Sequence, residues 1–199
     1  MSLMDSKLTQ ASISSLYNLL TNANSYLTGL CLKYCFLDTR SVYFLSKALE
    51  VNRTLVKLDL SCNGLSPIMG VYIVRSLKNN VTLTDLNLSK NCLNDDFAEA
   101  LADMLRVNEI IWKVDLSYNP IGEQGAKAIL KAIKESNDSL ESLGDEFEAN
   151  SASMGVVNVE EIRKVLKQNK VSKELRSRML YEGIQISNSY NLNRKKSSR

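Results

Sequence analysis

The sequence predicts an α/β fold: a short solenoid with a parallel β-sheet on its concave face and α-helices on its convex face. Three observations predict it. An eleven-residue leucine pattern starts at positions 27, 55, 83 and 111, a spacing of 28 each time. Within it, L-x-L alternation marks a short strand with one apolar face. Between copies, apolar residues recur at i, i+1, i+4 and i+5, which makes one stripe on a helix. Neither element can bury its apolar face alone, so successive units must stack and share a core.

The elements follow in chain order. Ile13, Leu16, Tyr17 and Leu20 form the helical half of a unit whose strand is missing, so residues 1–26 are expected to be an N-terminal capping helix. Four regular units and one degenerate unit then fill 27–150. The best strings are Leu55, Leu58, Leu60, Asn63, Leu65 and Leu83, Leu86, Leu88, Asn91, Leu93. A third reads Ile111, Val114, Leu116, Asn119, Ile121; the first, starting at Leu27, has Cys35 at the Asn position. Helical stripes follow at Phe44, Leu45, Ala48, Leu49, at Tyr72, Ile73, Ser76, Leu77, at Ala100, Leu101, Met104, Leu105 and at Ala128, Ile129, Ala132, Ile133. Leu140 and Leu143 begin a fifth strand, but no Asn is seen to follow, and Phe147, Val156 and Val157 are expected to cover the end. Asn158 and Glu161 suit a capping box that opens a helical segment over 151–182, with Leu175, Met179 and Leu180 in a continuing or second helix. Residues 183–199 read as a basic disordered tail.

Asn63, Asn91 and Asn119 sit where the chain leaves each strand. A side-chain amide there can satisfy backbone groups in a tight bend, so a structural role is expected. Asn24, Asn52, Asn80 and Asn108 share the same 28-residue phase. The repeat also accounts for the N-x-S/T matches at Asn52, Asn80 and Asn137.

The unit resembles the ribonuclease-inhibitor-like class of leucine-rich repeats. The run Asn119-Pro-Ile-Gly-Glu-Gln-Gly-Ala-Lys-Ala-Ile129 looks like the N-x-I-G-x-x-G-A-x-A-I/L signature of that class, and the N-x-T-L junctions Asn52–Leu55 and Asn80–Leu83 are typical of it. The resemblance covers about residues 10–150. The class includes the ribonuclease inhibitor, the repeat domains of NOD-like receptors, the Ran GTPase-activating protein, tropomodulins and ciliary proteins. It fixes fold more than function. Four good repeats make an arc closest in size to the tropomodulin repeat domain, too short for the surface of the GTPase activator.

Composition narrows the function. The chain has 199 residues and no histidine, which excludes Ser-His-Asp, Cys-His and His-ligated metal chemistry. No glycine-rich phosphate loop appears; the repeat explains Gly122 and Gly125. Asp59 and Asp115 stand two strands apart, about 10 Å, which is wide for an acid–base pair. No catalysis, cofactor, metal or small-molecule substrate is expected. Cys31, Cys35, Cys62 and Cys92 lack C-x-x-C spacing and read as free thiols in a reducing compartment. No secretory leader or membrane-spanning stretch is visible.

The net charge of +3 hides segregation. Residues 160–199 carry 11 Lys/Arg and 4 Asp/Glu, whereas 1–159 carry 14 and 18. The basic end suits an acidic surface or serves solubility; without interleaved aromatics, nucleic acid is not expected.

The expected function is therefore a non-catalytic scaffold that binds another protein in the cytoplasm. The alternative is a structural subunit of a cytoskeletal or ciliary assembly, anchored by the basic C-terminal arm. By phase, Lys57, Asp59, Asp85, Lys113 and Asp115 face the groove, together with Ser61, Ser89 and Ser117, while Tyr34, Lys90 and Tyr118 line its rim. Interface hot spots favour aromatic anchors, which singles out Tyr34, Trp112 and Tyr118.

Overall fold

The computed structural model describes the backbone of residues 1–144, 150 and 154–196, and side chains up to 178 apart from 145–149, 151–153 and 176. Strands and helices alternate: α1 (Gln10–Thr21), β1 (Gly29–Cys31), α2 (Thr39–Val51), β2 (Lys57–Asp59), α3 (Pro67–Ser76), β3 (Asp85–Asn87), α4 (Asp95–Leu105), β4 (Lys113–Asp115), α5 (Glu123–Glu135) and α6 (Val156–Lys196). The four strands pair in parallel in chain order. Their register is the repeat itself: Leu30, Leu58, Leu86 and Val114 stand side by side. Those residues are buried, as are Leu32, Leu60, Leu88 and Leu116. Helices α1 to α5 pack one on the next over this leucine layer. None of the described helices is long and apolar enough to cross a membrane.

Helix starts are set locally. Asp38 caps α2 by accepting the Ser41 N–H at 2.7 Å. Hydrogen bonds from the Ser41 side chain and backbone hold its carboxyl below the usual carboxylate range. Pro67 opens α3, where its missing N–H has no helical partner to lose. Asn94 caps α4, and Asp95 and Asp96 favour its positive end. Asp95 also accepts the Gly122 N–H at 2.5 Å, linking the start of α4 to the start of α5.

Two ladders of asparagine amides run through the interior. In the first, Asn91 accepts from the N–H groups of Asn63 (3.1 Å) and Leu65 (3.0 Å) in the preceding unit. Its own amide donates to the carbonyls of Leu88 (2.9 Å) and Leu60 (3.2 Å). Asn63 and Asn119 repeat this pattern. In the second, Asn52, Asn80, Asn108 and Asn137 stand at the helix-to-strand turns. Asn80 accepts from Thr82 and Leu83 in its own turn and donates to Leu49 and Asn52 one unit back. The first ladder was foreseen as structural; the second ladder explains the recurring phase of Asn52, Asn80 and Asn108.

Both ends differ from the sequence expectation. The first unit is not a bare helix. The Leu3 N–H donates to the Cys31 carbonyl at 2.9 Å, the Cys31 N–H donates to Met1, and Ser2 bridges Cys31 in parallel. Residues 1–5 thus supply the strand-like half, offset by one residue from the repeat period, which is why the repeat pattern hid it. The Cys35 thiol lies 2.9 Å from the Leu3 carbonyl, where an Asn amide would have been.

At the other end the fifth strand shrinks to one bridge, Lys113 to Ser142, although Leu140 and Leu143 remain buried. The ladders nevertheless continue. Asn150 accepts from the Asn119 N–H at 3.1 Å and donates to Leu116. Asn169 on α6 donates to Asn137 and Leu140. Their spacing departs from 28, so they do not stand out in the sequence. The core is closed by Met154, Val159 and Ile162, not by Val156 and Val157, which are exposed; Phe147 lies outside the described residues. Asn158 falls within α6 rather than capping it, and its amide donates to Met154 at 2.8 Å. The helix runs unbroken to Lys196 through the stretch expected to be a disordered tail. No proline interrupts it, and adding turns to a nucleated helix is cheap; residues 197–199 lie outside the description.

The outermost member of each predicted helical stripe is also only partly buried. Phe44 is 36% exposed, whereas Leu45, Ala48 and Leu49 behind it are sealed.

Replacing Asn91 with Ala strands the N–H groups of Asn63 and Leu65 between units and removes one of the two amide donors to each of the Leu60 and Leu88 carbonyls. The expected loss is on the order of 3 kcal/mol, measured as a lower urea midpoint at unchanged slope. An unchanged midpoint would contradict the role given to the amide.

Candidate functional site

The concave face is a groove of about 500 Å³ with two rows of side chains on its floor. One row runs Gly29, Lys57, Asp85, Lys113 across the strands; the other runs Cys31, Asp59, Asn87, Asp115. The period-2 strand geometry puts these residues opposite the buried leucines. Five of the nine residues singled out in the sequence therefore meet here: Lys57, Asp59, Asp85, Lys113 and Asp115.

The carboxylates are held by local hydrogen bonds. Asp59 accepts from the Ser61 N–H and Asp115 from the Ser117 N–H, each at 2.9 Å. Asn87 does the same for Ser89. Asp85 accepts from the Thr84 hydroxyl at 2.7 Å. Asp59, Asn87 and Asp115 of the second row thus close the turns after β2, β3 and β4 as well as lining the groove. Lys57 and Lys113 are exposed and form no ion pair among the described residues. The groove presents exposed ammonium groups, that of Lys113 also 5.5 Å from the Trp112 ring centre, over fixed acceptors, an arrangement that suits a polar chain segment of mixed charge. Ser61, Ser89 and Ser117, expected to face it, are buried at 2%, 8% and 3% exposure. The chain has already begun to turn there, so the alternation stops one residue earlier than the pattern implies.

Tyr34, Lys90 and Tyr118 stand outside the groove floor, on the rim. With Cys62 they occupy the position just before each ladder residue, and all four have a left-handed backbone, φ 56° to 59°. That conformation disfavours residues with a Cβ, yet the turn imposes it in every unit. Tyr34 and Tyr118 are 42% and 47% exposed. The Lys90 ammonium lies 5.1 Å from the Tyr118 ring centre and Lys33 lies 5.4 Å from that of Tyr34. A hydrogen bond with the Cys62 side chain raises the Tyr34 phenol above its ordinary pKa.

Trp112 belongs to neither group. It lies on the flank, under α6. The Lys173 ammonium sits 3.7 Å from its ring centre and reaches Glu141 at 2.6 Å. The Trp112 carbonyl accepts from the N–H groups of Glu141 and Ser142. Its indole N–H is buried without a partner among the described residues. In this position Trp112 ties the C-terminal helix to the last repeat and lies outside the groove floor. Lys134 and Glu161, 2.7 Å apart, form a second tie to α6, and that pairing holds the Glu161 carboxyl below its usual value. Sequence spacing gave no sign of the clamp, because Lys173 and Glu141 meet only through the docking of α6. The groove's flanking residues, Met1, Ser142 and Gly144, were also missed. They come from the two irregular ends.

This architecture defines a leucine-rich-repeat solenoid. A leucine-rich-repeat family model matches residues 51–68, 79–102 and 113–130, three of the units described above. Three of its 28-residue α/β units are thus leucine-rich repeats by sequence as well as by fold. No curated protein matches its sequence. Among solved structures it is similar to one described as Leiomodin-1 Actin-Binding Site 2, with a TM-score of 0.72 at 21% identity, covering 90% of this chain and 99% of that one. It is also similar to the tropomodulin C-terminal domain from Caenorhabditis elegans, with a TM-score of 0.71 at 18% identity, covering 83% and 97%. At these identities the likeness is one of fold. Its extent takes in more than the repeats and reaches the terminal elements.

Replacing Lys173 with Met removes the cation from above the indole and the partner of Glu141. The emission of the single tryptophan is expected to shift, and stability to fall by about 1 kcal/mol. The same change at Lys113, 5.5 Å from the ring centre, should leave the spectrum closer to that of the parent. Identical spectra for the Lys173 variant and the parent would mean that the clamp does not form in solution.

Proposed function

We propose that the chain is a non-catalytic interaction scaffold whose concave groove takes a segment of another protein. The observation that carries this reading is the groove floor. Asp59 and Asp115 are committed to turn-closing hydrogen bonds and Asp85 accepts from the adjacent Thr84 hydroxyl, the ammonium groups are exposed, and the groove runs the length of a sheet whose opposite face is sealed core. Such a surface has polar recognition groups but no paired acid and base. The exposed rim tyrosines add two amphipathic contacts of the kind that dominate interface energetics.

A second observation favours a cytoskeletal partner. The fold likeness extends over 99% of a domain described as an actin-binding site. The basic C-terminal arm supplies an electrostatic complement to an acidic filament surface. The free cysteines suit a reducing cytoplasm. Nothing comparable favours a cilium. Actin filaments are accordingly the first partner to test.

In a co-sedimentation assay the full chain should pellet with actin filaments, and less so as salt rises. The Lys57→Glu/Lys113→Glu double variant should bind at least about tenfold more weakly, the effect of losing about 1.4 kcal/mol of groove complementarity. Binding that is indifferent to the double variant would move the interface off the groove. No pelleting at low salt would remove actin as the partner.

A further inference from the structure

The 28-residue register contains its own control. Positions 43, 71, 99 and 127 occupy the same place on α2 to α5, as do 44, 72, 100 and 128. At the first place stand Tyr43, Val71, Glu99 and Lys127; at the second stand Phe44, Tyr72, Ala100 and Ala128. The later units show that the fold accepts a charged residue followed by alanine. The early units carry aromatic rings there instead.

These rings form a continuous ladder on the convex face. Tyr17 on α1 meets Phe44 edge-on at 6.3 Å, Phe44 meets Tyr43 at 6.0 Å, and Tyr43 meets Tyr72 on α3 at 5.8 Å. Tyr43 is 45% exposed, although nothing in the repeat calls for a ring in water. With helices about 10 Å apart, the ladder spans roughly 20 Å. Two cations lie against it: Arg40 is 5.8 Å from the Phe44 ring centre, and Lys47, which also pairs with the exposed Glu50 at 2.8 Å, is 5.9 Å from that of Tyr43. Helices α2 and α3 carry Arg40, Lys47 and Arg75 against the single acid Glu50, whereas α4 carries four acids and no base and α5 carries three lysines against two acids. The rings thus lie on a net basic stretch of the convex face, set off by the acidic α4.

We propose that the aromatic face of α1–α3 docks an acidic segment of a partner protein that also bears aliphatic side chains. The rings take the aliphatic groups, and Arg40 and Lys47 take the carboxylates. Charge complementarity selects this occupant. This docking face lies on the opposite side of the sheet from the groove and does not depend on the groove's partner.

The test pans random peptides displayed on phage against the immobilised full chain, then measures the affinity of the recovered peptides. They should combine Asp or Glu with Leu, Ile, Val or Phe. Binding should fall at least about tenfold in Tyr43→Glu/Phe44→Ala, a loss typical of interface anchors. That variant installs the pair α4 already carries, so its melting temperature should stay near that of the parent. Arg40→Gln/Lys47→Gln, which leaves the rings in place, should weaken the same peptides and provides the reading if the first variant does not fold. Recovery of no peptide, peptides without acidic bias, or affinities unchanged in both variants would overturn the proposal. So would self-association of the full chain that is lost in Tyr43→Glu/Phe44→Ala, because the occupant would then be a second copy. Actin co-sedimentation should be the same for these variants as for the parent, which separates failure here from failure of the groove reading.

Discussion

The structure depends on the buried asparagine amide. Each unit of this solenoid must turn the chain twice, once leaving the strand and once leaving the helix, and each turn exposes backbone groups that helix and sheet leave unpaired. Water cannot reach them once the next unit is stacked. A carboxamide satisfies both kinds, because it donates through nitrogen and accepts through oxygen in one small group. Asn91 does this between β2 and β3, and Asn80 does it at the opposite edge. The leucines supply most of the driving force, but burial is non-directional. The amides fix where one unit sits on its neighbour. They also explain how irregular ends remain attached to a regular body: Asn150 and Asn169 continue the two ladders out of phase with the repeat.

The legibility of the sequence follows from this division. Strand register, core leucines and the roles of Asn63, Asn91 and Asn119 were readable because each is dictated by a period. The ends were not, because they satisfy the same hydrogen-bonding demand at other spacings. Residues 1–5 pair with β1 one residue out of step, and α6 docks through contacts with no sequence signature. The groove floor was legible for the same reason as the core. Lys57 and Asp115 lie opposite buried leucines, so period 2 finds them. Trp112 shows where this reasoning stops: its type suggested an anchor for a ligand, and nothing in its spacing showed that Lys173 of α6 would lie over its ring.

A regular repeat also separates what the fold needs from what it tolerates. Residues that recur in every unit, such as the left-handed rim position, answer to the turn. Residues that depart from the repeat at a site the other units fill cheaply need a separate reason. By that standard the groove acids are partly structural, because Asp59, Asn87 and Asp115 each close a turn. The lysines between them and the aromatic ladder on the early helices have no such duty. They are the parts of the surface through which this chain differs from another arc of the same architecture.

Native-state hydrogen exchange tests the role of the amides most directly. The N–H groups of Leu65 and Leu93 are bonded to Asn91 and Asn119, and those of Leu55, Leu83 and Ile111 to Asn52, Asn80 and Asn108. If asparagine side chains hold the units together, these protons should exchange only through global unfolding, with the same free energy as the denaturant-derived stability. Exchange at these sites through local opening, well below that free energy and with the strand N–H groups still protected, would show that the ladders are decoration on a solenoid held by its leucines alone.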